Sequence, residues 1–194
     1  ANRMFEITED VQKTIHTTAW VYLVSLGDAS EDNQQFLVSA LEEEAANLAF
    51  VPGPDALRLG AKTLAPLLKR TTLLVLREED AGTFLGLSER RAFVREQVEE
   101  RVLAIGPDIL ILVDKEHGAV VRTREERVDV PSPATTVLDT LGAADAFAAT
   151  FVAAHIFYPN DLAKAAQYAA LNAASVMGGH TAHKGLLTRA ALES

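Results

Sequence analysis

Two patterns of apolar positions alternate along the chain. Short apolar runs rich in β-branched residues are typical of buried strands, whereas apolar positions three and four residues apart are typical of amphipathic helices. The runs predict strands at 20–25, 72–76, 109–113, 119–122 and 128–130, while residues 48–51 fit either a further strand or the end of a helix. The helical spacing predicts helices that begin near Thr8, Ser30 and Ser88, one that passes through Leu57 and Leu64, and two over 142–157 and 160–177.

Helices that alternate with strands predict the α/β class, with a mainly parallel sheet flanked by helices. Pro66 is expected to kink or end its helix, because its ring cannot continue the hydrogen-bond ladder. Asn160 is expected to cap the last helix, and Gly178 and Gly179 to end it. No repeat, low-complexity segment or shift in composition divides the chain. We therefore expect residues 1–194 to form a single α/β domain.

Composition narrows the classes of function. Apolar residues make up 48% of the chain and charged residues 23%, which is typical of a globular protein. The net charge of −9 argues against a nucleic-acid partner, since phosphate backbones need a basic surface. The longest mostly apolar stretch, 143–158, is shorter than the roughly 20 residues that span a bilayer, so no membrane partner is expected. The absence of cysteine excludes thiolate catalysis and is typical of the reducing cytoplasm, where we expect the protein.

One segment, 139–147, combines small residues with two acids before an alanine-rich helix. Small residues let a ligand approach the backbone, and the first amides of a helix have no partners inside it. Together with the helix dipole they form a site suited to a phosphoryl group. Asp145 would face the same group and could accept a proton from an attacking hydroxyl. The alternative is that Asp145 only caps the helix.

This segment resembles the second signature of the ribokinase family (PfkB-type carbohydrate kinases), D-T-x-G-A-G-D-A-F. Each specified position matches except Ala144, where the family usually has glycine. The resemblance implies that Gly142, Ala143 and Ala144 form an anion hole and that Asp145 is the catalytic base. It also implies a ribokinase-like fold, ATP and Mg²⁺ as cofactors, and a sugar or nucleoside as the small-molecule substrate. Some members of the family have a monovalent-cation site, and the resemblance would place such a site near Asp139.

Other regions resemble the family in the same order. Residues 169–174 resemble the A-x-x-N-A-A helix near the adenine, which implies that Asn172 binds the nucleotide. Residues 113–119 resemble the nucleotide loop, where Gly118 matches and Lys115 stands in a position from which it could reach a phosphate or project into solvent. Residues 77–86 resemble N-x-x-E-A-x-x-L-x-G. There Arg77 could pair with phosphate and Asp80 could hold Mg²⁺ through water, or both could belong to a surface salt-bridge cluster.

The departures from the family pattern leave two hypotheses of function. In the first, the protein is a carbohydrate kinase that phosphorylates a sugar hydroxyl with ATP. In the second, changes at Arg77, Asp80, Ala144 and Lys115 leave a weakened relative that serves as a binding or assembly subunit. Alanine at position 144 is nearly harmless if the backbone there is already helical, which we expect because the site opens a helix.

The resemblance begins around the middle of a full-length kinase. The first signature and the small lid sheet of the sugar-binding half have no counterpart in the sequence, so we expect the chain to be the C-terminal portion of something longer, with the lid absent. A sheet that lacks those strands would have an unsatisfied edge, and such an edge invites pairing with another chain, including a second copy of this one as a homo-oligomer.

Overall fold

The computed structural model describes residues 8–24, 31–42, 46–87, 94–114 and 117–194. The chain folds into two compact units. The first extends to Ile111 and also contains Arg122–Glu125, and the second comprises Leu112–Val121 and Glu126–Ser194.

Helices and short strands alternate in the first part of the chain, as the pattern predicts. The elements are α1 (Glu9–His16), β1 (Trp20–Leu23), α2 (Glu31–Glu42), β2 (Asn47–Phe50), α3 (Pro54–Thr63), α4 (Ala65–Arg70), β3 (Leu73–Arg77), α5 (Glu78–Phe84) and α6 (Arg95–Ile105). The later elements are β4 (Ile109–Asp114), β5 (Gly118–Arg122), β6 (Arg127–Val130), α7 (Ala143–Phe157), α8 (Leu162–Met177) and α9 (Arg189–Leu192).

The strands form one six-stranded sheet in the order β1-β2-β3-β4-β5-β6. The pairings of β1 with β2 and of β2 with β3 are parallel, with Trp20 opposite Asn47 and Ala49 opposite Leu73. Parallel strands covered on both faces need side chains that are apolar throughout. Leu48–Phe50 and Leu73–Leu74 are accordingly fully buried. The α/β class with a mainly parallel sheet is confirmed, and residues 48–50 belong to β2 rather than to the end of α2, with Val51 just beyond the strand.

In the second unit, α7 packs along α8. Both helices bury alanines, including Ala148, Ala165 and Ala169, which have no exposed surface. Small side chains allow two helix backbones to approach closely, and this packing holds the start of α7 in a defined position. Within the described residues, no helix has the length and apolar composition needed to cross a membrane.

Two helix boundaries differ from the predictions, and a third, the start of α1, lies where it was predicted but without the side-chain cap. The break near Pro66 lies earlier, at Gly60 (φ +75°) and Leu64, and Pro66 itself stands in the first turn of α4, where a missing amide costs little. Asp161 rather than Asn160 caps α8, because its Oδ1 accepts a hydrogen bond from the Lys164 amide at 2.8 Å. Thr8 precedes α1 without a side-chain cap. Ser30 and Ser88 lie outside the described residues.

Two short helices were not predicted. Helix α5 carries three acids, Glu78, Glu79 and Asp80, in its first turn, which is the favourable end of the helix dipole for negative charge. Helix α9 is capped by Thr188, whose side chain accepts from the Ala191 amide. The end of α8 is as predicted, since the helix ends at Met177 with Gly178 as its C-cap.

Candidate active site

The turn before α7 is fixed by hydrogen bonds at both of its ends. The Asp139 Oδ1 atom accepts from the Leu141 amide at 2.9 Å. The amides of Leu138 and Asp139 both donate to the Met177 carbonyl, at 2.9 and 3.2 Å. The predicted motif and the end of α8 are therefore joined through backbone groups, and the second carboxylate oxygen of Asp139 makes no hydrogen bond within the described residues.

Gly142 is the N-cap of α7 and has a left-handed backbone, with φ +83° and ψ −6°. A Cβ atom there would lie 2.5 Å from the Ala182 carbonyl oxygen and 2.8 Å from the Ala182 Cβ atom. The position requires glycine for its dihedral angles and also for its packing. The loop that contains Ala182 thus lies directly against the start of α7.

The first turn of α7 presents amides in the way that the motif predicts. The Ala143 amide makes a long bond of 3.3 Å to the Thr140 carbonyl, and the Ala146 amide bonds to the Gly142 carbonyl at 2.8 Å. In the described part of the chain, the amides of Gly142, Ala144 and Asp145 have no acceptor. Unpaired amides at a helix N-terminus favour an anion.

Ala144 lies within α7, and none of the described residues other than glycine has a positive φ. The helical backbone expected at this position is confirmed. A methyl group is tolerated in this conformation, so the departure from the usual glycine introduces no backbone strain.

Asp145 lies in the first turn of α7, and its side chain is exposed. No donor among the described residues reaches its carboxylate. The residue is three positions after the N-cap and makes no capping hydrogen bond, so a role limited to side-chain capping has no support in the geometry. A carboxylate without a partner beside unpaired amides is available to a ligand.

Asn172 lies in α8 and only 5% of it is exposed. Its Nδ2 donates to the Thr150 Oγ1 atom at 2.6 Å, and its Oδ1 accepts from the Leu187 amide at 2.8 Å. The side chain therefore connects α8 with both α7 and the C-terminal segment. The predicted nucleotide-binding residue is a structural link whose amide group already has partners on both sides.

Asn172 also lines a pocket of about 310 Å³ within the second unit. Helix α7 contributes Ala149, Thr150 and Ala153, and helix α8 contributes Tyr168. The remaining wall belongs to the C-terminal segment, with Leu186, Leu187, Arg189 and Leu192, and Phe157 and Tyr158 lie at the end of α7. Most of these side chains are apolar, so the pocket suits a flat apolar or aromatic group better than a charged one. The pocket was not predicted from the sequence, because only α7 and α8 carried a recognisable pattern.

A cluster of polar groups lies beside the pocket. The Tyr158 hydroxyl donates to Glu193 Oε1 at 2.6 Å, and Arg189 Nε donates to the same oxygen at 2.7 Å. The hydrogen bond to Glu193 raises the pKa of Tyr158, while the bonds from Tyr158 and Arg189 lower the pKa of Glu193. The Arg189 guanidinium also lies 4.2 Å from the centre of the Phe157 ring, and the Lys164 ammonium 3.9 Å from that of Tyr158.

The other predicted residues lie apart from the motif in sequence. Arg77 and Asp80 are in the first unit, where Arg77 pairs with Asp80 at 2.5 Å and with Glu79 at 2.9 Å. The surface salt-bridge cluster is thus present. Gly118 is in the second unit and has φ +104°, and a side chain there would overlap the Val130 carbonyl. Lys115 lies outside the described residues.

The predicted metal-binding residues, Asp80 and Asp139, differ in the carboxylate oxygens that they can offer to a metal ion. The described residues contain no group of three His, Asp or Glu side chains that could enclose a metal. Asp80 is held by Arg77, which competes with direct coordination and suits contact through water. Asp139 is half-buried and has one oxygen without a hydrogen bond among the described residues, which suits a weakly held cation.

Comparison with known proteins gives a family and a fold. The sequence matches the model of the pfkB family of carbohydrate kinases over residues 3–189. A search of curated proteins found no match.

Solved structures with the same fold include three kinases. A putative ribokinase II from E. coli, in complex with ATP and Mg²⁺, has a TM-score of 0.78 and 16% identity, over 94% of this chain and 59% of that one. A nucleoside kinase from Burkholderia thailandensis, in complex with inosine, has a TM-score of 0.71 and 22% identity, over 91% of this chain and 55% of that one. Phosphofructokinase-2 from E. coli, in complex with potassium, has a TM-score of 0.77 and 11% identity, over 95% and 59%. The ribokinase-like fold is therefore confirmed, and the chain spans less than two thirds of the length of these structures.

Proposed function

Because the chain belongs to the pfkB family of carbohydrate kinases, we propose that it carries the phosphoryl-transfer half of an ATP-dependent kinase for a sugar or nucleoside hydroxyl. The observation that carries this proposal is the start of α7, where a carboxylate and amides without partners among the described residues lie side by side. Phosphoryl transfer needs little covalent chemistry from the protein and depends on positioning and on stabilising charge. The carboxylate and the amides of this helical turn would serve both requirements.

Asp145 is the proposed general base. In the transfer step, the acceptor hydroxyl oxygen forms a bond to the γ-phosphorus as the bond between that phosphorus and the β–γ bridging oxygen breaks. The hydroxyl proton passes to the Asp145 carboxylate, and ADP leaves with the bridging oxygen. The exposed side chain of Asp145 leaves room for an acceptor to approach from solvent.

The amides of Gly142, Ala144 and Asp145 are the proposed anion hole. They would donate to the oxygens of the transferring group, whose negative charge is spread over those atoms in the transition state. The partial positive charge of the α7 N-terminus acts in the same direction. The left-handed turn at Gly142 and its contact with Ala182 fix these donors before any ligand binds.

The pocket beside Asn172 is the proposed place for the adenine. A helix rises about 1.5 Å per residue, so Thr150 lies about 9 Å along the axis from Ala144, which is comparable with the length of a triphosphate chain. Asn172 would act by holding Leu187 in the pocket wall rather than by reading the base with a free amide. This geometry would place the base and the phosphates on one unit of the protein.

Mg²⁺ would neutralise phosphate charge at such a site, and Asp80 is the residue proposed to reach it through water. Arg77, Lys115 and Gly118 remain proposed contacts of the nucleotide. Asp139 is proposed to hold a monovalent cation through its oxygen without a partner, in keeping with the potassium bound to phosphofructokinase-2 of E. coli. All of these assignments follow from the resemblance, and those of Asp80 and Asp139 are also supported by their carboxylate oxygens.

The test is Asp145→Asn in the intact gene product, assayed with Mg·ATP and a panel of sugars and nucleosides. Loss of the base should lower kcat by roughly 10²–10⁴-fold while leaving the affinity for ATP nearly unchanged. Asp108→Asn is a matched control, because Asp108 is exposed and pairs only with the surface residue Arg124 among the described residues. Turnover by Asp145→Asn equal to that of the wild type would refute the role.

A second candidate is a weakened relative that acts as a binding or assembly subunit. The ion pair between Arg77 and Asp80 favours it, since it occupies a carboxylate that the kinase hypothesis assigns to metal-bound water. Calorimetry with Mg·ATP separates the two hypotheses. Binding supports the kinase, whereas no binding at millimolar nucleotide would favour the subunit.

A further inference from the structure

The pocket beside Asn172 has one wall that is not part of a long helix. This C-terminal wall comprises residues 186–193, with Leu186, Leu187, Arg189 and Leu192 facing the pocket. Its only regular element, α9, has four residues. A helix of that length is not stable by its own hydrogen bonds, so contacts with the rest of the unit must set the position of the wall.

The wall is fastened to the long helices at two places. Near its start, the Leu187 amide donates to Asn172 of α8 at 2.8 Å. At its end, Glu193 Oε1 accepts from the hydroxyl of Tyr158, the residue that follows α7, at 2.6 Å. The first fastening is half-buried, whereas the second is exposed.

Arg189 strengthens the second fastening. Its Nε donates to the Glu193 oxygen that also receives the Tyr158 hydroxyl, and its guanidinium lies over the Phe157 ring. Both donors converge on one oxygen of the Glu193 carboxylate, and their hydrogen bonds are charge-assisted because this acceptor is ionised. Glu193 therefore joins the last turn of the chain to the end of α7 by two routes.

We propose that Tyr158 and Glu193 form a clasp that holds the C-terminal wall closed and thereby sets the affinity of the pocket for the nucleotide base. Both are positioning residues, since they act through the wall. The assignment of the base to this pocket rests on the proposed function, whereas the clasp itself is a property of the free protein.

Substitutions of Tyr158 and Glu193 can remove the hydrogen bond of the clasp while keeping most of the packing of the side chain. The ring of Tyr158 lines the pocket and its hydroxyl makes the fastening. Tyr158→Phe therefore keeps the wall of the pocket and removes only the hydrogen bond. Glu193→Gln keeps an acceptor oxygen but loses the charge, so it should weaken the clasp less than Glu193→Ala does.

The first measurement is hydrogen–deuterium exchange over residues 186–193 without nucleotide. An exposed pair contributes modestly, so Tyr158→Phe should raise the exchange of this segment by about two- to fivefold, with a larger rise in Glu193→Ala than in Glu193→Gln. Tyr22→Phe and Glu100→Gln are matched controls in the first unit and should leave the exchange of the segment unchanged. Equal exchange in Tyr158→Phe and the wild type would overturn the clasp.

The second measurement is the affinity for Mg·ATP. Once a substrate is found that the protein accepts, the KM for ATP and the kcat are also measured. Tyr158→Phe should raise the dissociation constant and the KM for ATP by the factor by which it lowers the closed fraction of the wall, at most about two- to fivefold, because ATP binds the closed wall. The kcat should stay within about twofold, since the phosphoryl site is unchanged. A closed fraction that falls in the exchange data while the ATP affinity stays unchanged would overturn the link to the base.

Failure of the clasp and failure of the proposed function give different results. Equal exchange of residues 186–193 in the wild type and in Tyr158→Phe, with ATP bound by both, refutes the clasp and leaves the function intact. A wild-type protein that does not bind ATP refutes the function together with the placement of the base, and the exchange data still decide whether the wall is clasped.

Discussion

Replacement of Gly142 by alanine would put a methyl group at a left-handed turn that packs against Ala182. The left-handed backbone costs a residue with a Cβ atom about 1–2 kcal/mol. The Cβ atom would also lie 2.5 Å from a backbone oxygen, which cannot rotate away as a side chain could. Overpacking of this kind costs about 1–3 kcal/mol. We expect Gly142→Ala to lower the free energy of unfolding by about 2–5 kcal/mol in total.

Two other glycines separate these contributions. Gly86 has φ +68°, and no atom of the described residues lies within 4 Å of an added Cβ, so Gly86→Ala should cost only the backbone strain, about 1–2 kcal/mol. Gly178 has a right-handed backbone (φ −76°), and an added Cβ would make ordinary contacts of 3.5 Å or more. Gly178→Ala should therefore change stability by less than about 0.5 kcal/mol.

Urea unfolding of the three variants, followed by circular dichroism, tests the series. The urea concentration at the midpoint of unfolding should be highest for Gly178→Ala, close to that of the wild type. It should be lower for Gly86→Ala and lowest for Gly142→Ala. A Gly142→Ala variant no less stable than Gly86→Ala would show that the loop of Ala182 moves aside freely. The anion hole would then not be fixed in advance by that contact.

Two further predictions concern buried groups of the second unit. Asn172→Ala leaves the Leu187 amide without its acceptor, opens space beside Thr150, and should destabilise the protein by about 2–4 kcal/mol in urea unfolding. Thr150→Val removes only one of the two bonds and should cost less, and equal costs would refute the link to Leu187. Burial lowers the pKa of His155, so the unfolded chain binds a proton there more readily than the folded one. Stability should fall as the pH drops through about 6.5, the ordinary value for histidine, and His155→Gln should reduce that fall, whereas an identical pH dependence in both proteins would contradict the burial effect.

Local chemistry explains which parts of the site could be predicted from the sequence. The start of α7 was predictable because Gly142, Ala144 and Asp145 lie within a few residues and their conformation depends on a helix N-terminus. The end of α8 was predictable for a similar reason, since Gly178 follows a long run of apolar positions. The cap of α8 was predicted one residue too early, at Asn160 instead of Asp161. Both residue types are good helix caps, and only the geometry of the folded chain selects between them.

The parts that could not be predicted depend on contacts between distant residues. Tyr158 and Glu193 are 35 residues apart, and nothing in the pattern around either one indicates the other. Asn172 was singled out through the resemblance as a nucleotide contact, but the burial of its amide and its bond to Leu187 depend on where the C-terminal segment lies. Arg77 and Asp80 fitted either a ligand site or an ion pair at helical spacing. The structure shows the ion pair, and the ligand role stays a prediction.

The order of strands in the sheet has a consequence for synthesis on the ribosome. Because the spatial order is the order along the chain, each new strand finds its neighbour already made when it emerges. Translation adds about 5–20 residues per second, whereas hairpins and helices form within microseconds, so strands can join the sheet one after another. The fastenings of residues 186–193 are the exception, since Leu187 and Glu193 emerge after the sheet and both long helices of the second unit have been made. A nascent chain can thus complete its sheet and the start of α7 while the pocket beside Asn172 still lacks its wall, and this pocket closes only once residues 186–193 have left the exit tunnel.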